Sequence, residues 1–160
     1  MKAKEVIDVL QLEPLTVEGG FFKELYRSKS IMPDGKRTCG TSIYYLMTID
    51  NISSWHKVAS DEIWYYHAGS PAIQLLISPD GTLEKRIIGN DFAAGQVAQS
   101  IIPAGTWQAA ILKNKNPDAW GLFGASVFPA FEYDDFTGAS VEEMSKNFPE
   151  HKAVIDNFFP

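Results

Sequence analysis

The chain has a single cysteine, Cys39, among 160 residues, which excludes an internal disulfide and a thiolate-rich zinc site. Histidine is almost as scarce: His56, His67 and His151 are the whole supply for acid–base chemistry near neutral pH. No apolar run approaches the roughly 18 residues that a membrane helix needs. The opening Met1-Lys2-Ala3-Lys4-Glu5 leads into an amphipathic pattern and lacks the apolar core of a signal peptide. A soluble, cytoplasmic protein with no membrane partner is the expectation. Positive charge is also short, with 14 Lys and Arg against 20 Asp and Glu and a net charge of -6. No Lys/Arg cluster could displace counterions from phosphates, so no nucleic-acid partner is expected. A phosphate loop ending in lysine, a dinucleotide fingerprint, His-Glu-x-x-His and Gly-x-Ser-x-Gly are all absent.

What is present is β chemistry. Short stretches rich in aromatic and β-branched residues fall at 21–27, 41–48, 53–58, 62–68, 72–78, 83–88, 97–102, 106–112 and 120–128. Turn residues separate them, with Pro33-Asp34-Gly35 and Pro79-Asp80-Gly81 the strongest signals. Strands at this spacing read as a sandwich or barrel over about 21–130, within one domain spanning 1–160. Helical spacing of Ala3, Val6, Ile7 and Leu10 predicts a helix over 3–11. Ser140-Val141-Glu142-Glu143 has capping-box form, and a helical tail is expected over 140–158. The acids crowd into that end: residues 131–160 hold seven against Lys146 and Lys152.

The chemically informative stretch runs from Trp55 to Gly69. Alternation puts His56 and Val58 on one face and, after a turn, Glu62, Trp64, Tyr66 and Ala68 on one face. A histidine and a glutamate on neighbouring strands can meet inside a barrel, and in apolar surroundings such a pair can hold or release a proton near neutrality. They could equally supply two ligands to a metal, or only satisfy each other. His67 is out of phase with Glu62 and is expected on the outer face or at an interface. Trp107 is expected outside the barrel, opposite in parity to Gln108.

These residues resemble the first motif of the cupin superfamily: His56, three spacers from Val58 to Glu62, and six more to Gly69. Pro103-Ala104-Gly105-Thr106-Trp107-Gln108 resembles the second. Ser54-Trp55-His56, Asp61 to Gly69, Pro103 to Ala110 and Pro129-Ala130-Phe131-Glu132-Tyr133 are similar to the small single-domain cupin-5 family, whose activity is uncharacterised. The resemblance covers roughly residues 3–140. It implies a mainly β fold, a double-stranded β-helix or jelly-roll barrel, with an N-terminal helix and short C-terminal helices.

Departures from the motifs shape the functional expectation. The metal-ligand positions of the superfamily fall on His56, Val58, Glu62 and Gln108; the opening glycine falls at Asp50, and Gly95 stands two residues early. Valine cannot ligate and an amide oxygen suits transition metals poorly, so no metal and no other cofactor is expected. The resemblance then implies a metal-independent, small-molecule-binding cupin. One form is an isomerase or epimerase using His56 and Glu62 as catalytic pair on a carbohydrate-like ligand. The other is a binding or sensing module without turnover, and a metal-dependent dioxygenase is disfavoured. Trp64, Tyr66 and Gln108 are the expected ligand-binding residues. Tyr26, Tyr44 or Tyr66 would be the acid of an epimerase; Arg27, Arg37, Lys57 and Arg86 are too scattered for a nucleotide diphosphate. Apolar residues of both parities in 41–48 and 72–78 call for cover, so a homodimer is expected.

Overall fold

The computed structural model describes residues 1–159. A helix α1 (Ala3–Leu10) precedes the strands β1 (Glu13–Pro14), β2 (Phe21–Arg27), β3 (Thr41–Thr48), β4 (Ser53–Lys57), β5 (Asp61–Gly69) and β6 (Ala72–Ile77). Then come β7 (Leu83–Ile88), β8 (Gln99–Ile102), β9 (Trp107–Leu112), β10 (Trp120–Phe128), β11 (Thr137–Gly138) and the helices α2 (Val141–Asn147) and α3 (Lys152–Asp156). Two antiparallel sheets result, in the orders β1-β2-β3-β10-β5-β8 and β11-β4-β9-β6-β7. They face each other as a jelly roll, without closing into a continuous barrel. All nine expected strands are there, and the two-residue strands β1 and β11 are additions.

Local chemistry explains the punctuation. Gly35 and Gly81 close their turns with φ of 71° and 86°, their N–H groups donating to Met32 O and Ser78 O at 2.8 Å; glycine reaches that region without Cβ strain. At the start of α2, Ser140 Oγ accepts from Glu143 N at 3.2 Å, and Glu143 Oε2 accepts from Ser140 N at 2.8 Å. The capping box read from the sequence forms.

Between the sheets, Tyr45, Met47, Trp64 and Phe123 meet Ala72, Leu76, Ala110 and Leu112 in one buried cluster. The outward apolar residues are covered too, by the chain's own ends. Tyr44 and Leu46 of β3 pack with Val6, Leu12 and their neighbours from α1. Leu75 and Ile77 of β6 pack with Trp55, Met144 of α2 and Ile155 of α3, and Trp107 joins them on this outer side. Leu46, Leu75 and Ile77 of the outward set thus find cover within the chain, while Tyr44 and Ile73 stay half-buried. The amphipathic pattern of these ends marks them as helices, and the packing shows which sheet faces their apolar sides meet.

Met144 is fully buried, whereas Val9 on α1 is 67% exposed. Met144→Ala is therefore expected to destabilise by about 2–5 kcal/mol through the cavity it leaves, and Val9→Ala by no more than about 0.5 kcal/mol. Urea denaturation of both variants checks this.

Candidate functional site

A cavity of about 190 Å³ lies toward one end of the two sheets, smaller than the ~300–1,000 Å³ of drug-sized sites. His56, Val58 and Glu62 line it, as the parity of β4 and β5 predicted. Phe22, Ile43, Ala125 and Val127 give it an apolar wall from the first sheet. Two irregular segments complete it: residues 15–18, held beside β2 by β1, and residues 131–136, held beside β4 by β11.

His56 is 2% exposed. Its Nδ1 lies 2.8 Å from the carbonyl oxygen of Ser54. A carbonyl only accepts, so Nδ1 carries the hydrogen, and Nε2 of the neutral ring is left with a lone pair. The ring stacks on Phe136 with centroids 5.2 Å apart and planes 12° apart. Gly138 of β11 is registered against His56 itself, which brings Phe136 over the ring.

Glu18, which the sequence did not single out, is the group facing Nε2, with Oε2 at 3.7 Å. Its other oxygen accepts from Ser53 Oγ at 2.6 Å, and its carbonyl accepts from Ser54 N at 3.1 Å. The next two residues, Gly19 and Gly20, have φ of 111° and 74°. A Cβ on Gly19 would lie 2.1 Å from Ile52 O, so only glycine permits this approach. Tyr45 donates its hydroxyl to Gly19 O at 2.9 Å; burial, reinforced by the Glu18 charge, holds its pKa well above the usual phenol value and keeps that proton in place.

Glu62 is buried, with Trp64 Nε1 donating to Oε1 at 3.0 Å and Gln108 Nε2 donating to Oε2 at 2.6 Å. The second bond joins β9 of one sheet to β5 of the other. Burial raises the Glu62 pKa, His56 opposes the rise, Glu18 adds to it and the two N–H donors oppose it. Gln108, expected among the ligand-binding residues, sits opposite His56 in the β4–β9 register but outside the cavity lining, where it holds Glu62.

The expected walls need correction. Trp64 faces inward yet belongs to the core, edge-on to Tyr45 at 5.3 Å, and reaches the site only through Glu62. Tyr66 shares the parity but lies four residues further along β5, roughly 13 Å at about 3.3 Å per residue. It packs beside Phe123 and donates to Gly69 O at 2.7 Å, outside the cavity lining. Tyr26 is 60% exposed and Tyr44 packs on the α1 side, so neither is placed to act as the acid. Tyr133 is the tyrosine in the lining. His67 is exposed on the outer face, its ring 5.8 Å from Tyr44.

Arg27 is the cation at the cavity. It donates to Glu24 at 3.1 and 3.0 Å, to Glu132 at 2.8 Å and to Phe131 O at 3.1 Å. Of the other scattered cations, Arg37 pairs with Asp135, Lys57 lies 4.8 Å above the outer Trp107 ring, and Arg86 binds Glu84 and Ser100 at a distant sheet edge.

Residues 4–139 match the model of the cupin superfamily (DUF985). The chain belongs to this family. It is 32% identical to the uncharacterised protein YML079W of Saccharomyces cerevisiae over 155 residues, covering 86% of this chain and 77% of that one. Protein SO0799 from Shewanella oneidensis has a solved structure that superposes with a TM-score of 0.88 at 36% identity, covering 98% of this chain and 96% of the other. Oxalate decarboxylase from Bacillus subtilis superposes at a TM-score of 0.56 and 16% identity over 89% of this chain and 35% of that chain, a likeness of fold alone.

Many cupins hold a metal at the positions of His56, Val58, Glu62 and Gln108, and this donor set does not fit one. Val58 presents only carbon to the cavity. Gln108 turns its amide N–H, and not a lone pair, toward Glu62, so His56 and Glu62 are the two ligating groups left at the four positions. Among the described residues no three His, Cys, Asp or Glu side chains converge to hold a metal.

The raised pKa of Glu62 fixes the sign of a pH effect. A carboxyl that binds its proton more tightly when folded contributes stability below its ordinary pKa of 4.5 and loses it as pH rises through the raised value. Glu62→Gln cannot ionise, so its stability relative to the parent is expected to improve from about pH 4 to about pH 7. Denaturation of both proteins at the two pH values checks it; a difference that stays flat or falls would contradict it.

Proposed function

We propose that this cupin binds a small molecule in the His56–Glu62 cavity without a metal, and that His56 Nε2 serves as a base toward it. The observation that carries the reading is the Ser54 carbonyl on Nδ1, which turns the basic nitrogen of a buried histidine toward an enclosed space. Glu18 stands where it would stabilise the imidazolium formed when Nε2 takes a proton. Proton abstraction from a C–H next to a carbonyl or imine, returned at the same or a neighbouring carbon, is the matching reaction class, an isomerase or epimerase step. A nucleotide-diphosphate sugar is a poor match, because Arg27 already satisfies two glutamates and a carbonyl. The second reading is binding without turnover, favoured by the lack of a built acid: Tyr133 is 59% exposed.

A fragment screen read on the His56 ring by NMR tests the site. Fragments that move those resonances should then take up deuterium at carbon from heavy water, and His56→Ala should slow that uptake by about 10²–10⁴-fold. Binding with no uptake would support the module without turnover. Purified protein should contain far less than one Zn, Fe, Mn or Ni ion per chain by elemental analysis; a stoichiometric ion lost in His56→Ala would overturn the metal-free reading.

A further inference from the structure

The polar groups of the cavity nearly all accept. His56 Nε2 offers a lone pair, and its nearest charged neighbour, Glu18 Oε2 at 3.7 Å, is beyond hydrogen-bond length. Glu18 and Glu62 are both screened from bulk water, and Glu24 and Glu132 stand at the Arg27 side. Four carboxyl groups therefore face one guanidinium, whose donors are already committed to Glu24, Glu132 and Phe131 O. The hydroxyls of Thr41 and Tyr133 can donate, but neither brings charge. The rest of the lining is aromatic and aliphatic, with Phe22, Phe131 and Phe136 among the walls. Ring faces attract cations and repel anions.

We infer that the cavity takes a small molecule with a protonated nitrogen as its head and an apolar body, the ammonium or amidinium donating to Glu18 and Glu62 and leaving His56 Nε2 free to face the ligand's carbon. The inference rests on the reading of this cavity as the ligand site and names its ligand class. An ammonium supplies up to three N–H donors to a set of acceptors that lacks them, and charge-assisted bonds of this kind are about twice as strong as neutral ones. A carboxylate or phosphate head would find no free donor at Glu18 or His56 Nε2 and would have to break Arg27 from its partners.

Three probes with the same ring and different heads test it: benzylamine, benzyl alcohol and benzoate, titrated at neutral pH and read on the His56 ring by NMR. Benzylamine is expected to bind about tenfold or more tighter than benzyl alcohol, with benzoate weakest. Glu18→Gln, and independently Glu62→Gln, should erase the preference for benzylamine while leaving benzyl alcohol binding unchanged. If benzoate binds in the cavity as well as benzylamine, or both variants keep the preference, the ligand class is wrong and the cavity remains a binding site. If no probe moves the His56 resonances, or if Ala125→Leu, which fills the cavity, leaves binding intact, both the class and the site reading fail.

Discussion

One hydrogen bond sets the chemistry of this cupin: the Ser54 carbonyl on Nδ1 of His56. It is made within β4, two residues back along the chain, so it needs no distant partner and persists wherever the strand does. With that nitrogen committed, the lone pair of the other points into the cavity, and the neighbouring residues gain their meaning from it. Glu18 faces a base, Phe136 fixes the ring plane, and the two-residue strands matter because β11 holds Phe136 against β4 while β1 holds the Glu18 segment beside β2 of the facing sheet.

Glu62 adds a second constraint of a different kind. A carboxylate buried between sheets is expensive unless its lone pairs are used, and here Trp64 and Gln108 use them from opposite sheets. The same two bonds take one lone pair on each oxygen, and with Val58 and the Gln108 N–H at the other cupin positions only His56 and Glu62 are left as ligating groups. Where metal-holding cupins place a histidine, Gln108 here donates an N–H to the Glu62 carboxylate. Acceptors accumulate around the cavity as a result, and the one arginine present is spent on its neighbours.

Much of this was legible from alternation. The parity of β4 and β5 brings His56, Val58 and Glu62 to one cavity, and the second motif marks Gln108, which pairs with His56 in the β4–β9 register. Parity says which way a side chain points and nothing of how far along the strand the cavity extends, so Tyr66 was placed in a wall it does not reach. It also cannot separate a core tryptophan from a pocket tryptophan, and Trp64 is the former. Glu18 and Phe136 lie in segments with no periodicity, positioned by contacts with residues far away in sequence, and Tyr133 is marked in the sequence only as part of the family-like Pro129–Tyr133 stretch. Gly19-Gly20 was the available signal for the first of these, since tandem glycines mark a close backbone approach. The amphipathic ends were recognised as helices, but that they shield the outer sheet faces follows only from the packing.

The central claim is that neutral His56 keeps its hydrogen on Nδ1 and shows Nε2 to the cavity. Long-range ¹H–¹⁵N correlation NMR of the imidazole ring, recorded where the ring is neutral, measures this directly. The account predicts a protonated Nδ1 and a pyridine-type, unprotonated Nε2. Finding the hydrogen on Nε2 instead would contradict it, because the base would then be turned toward Ser54 and away from the cavity.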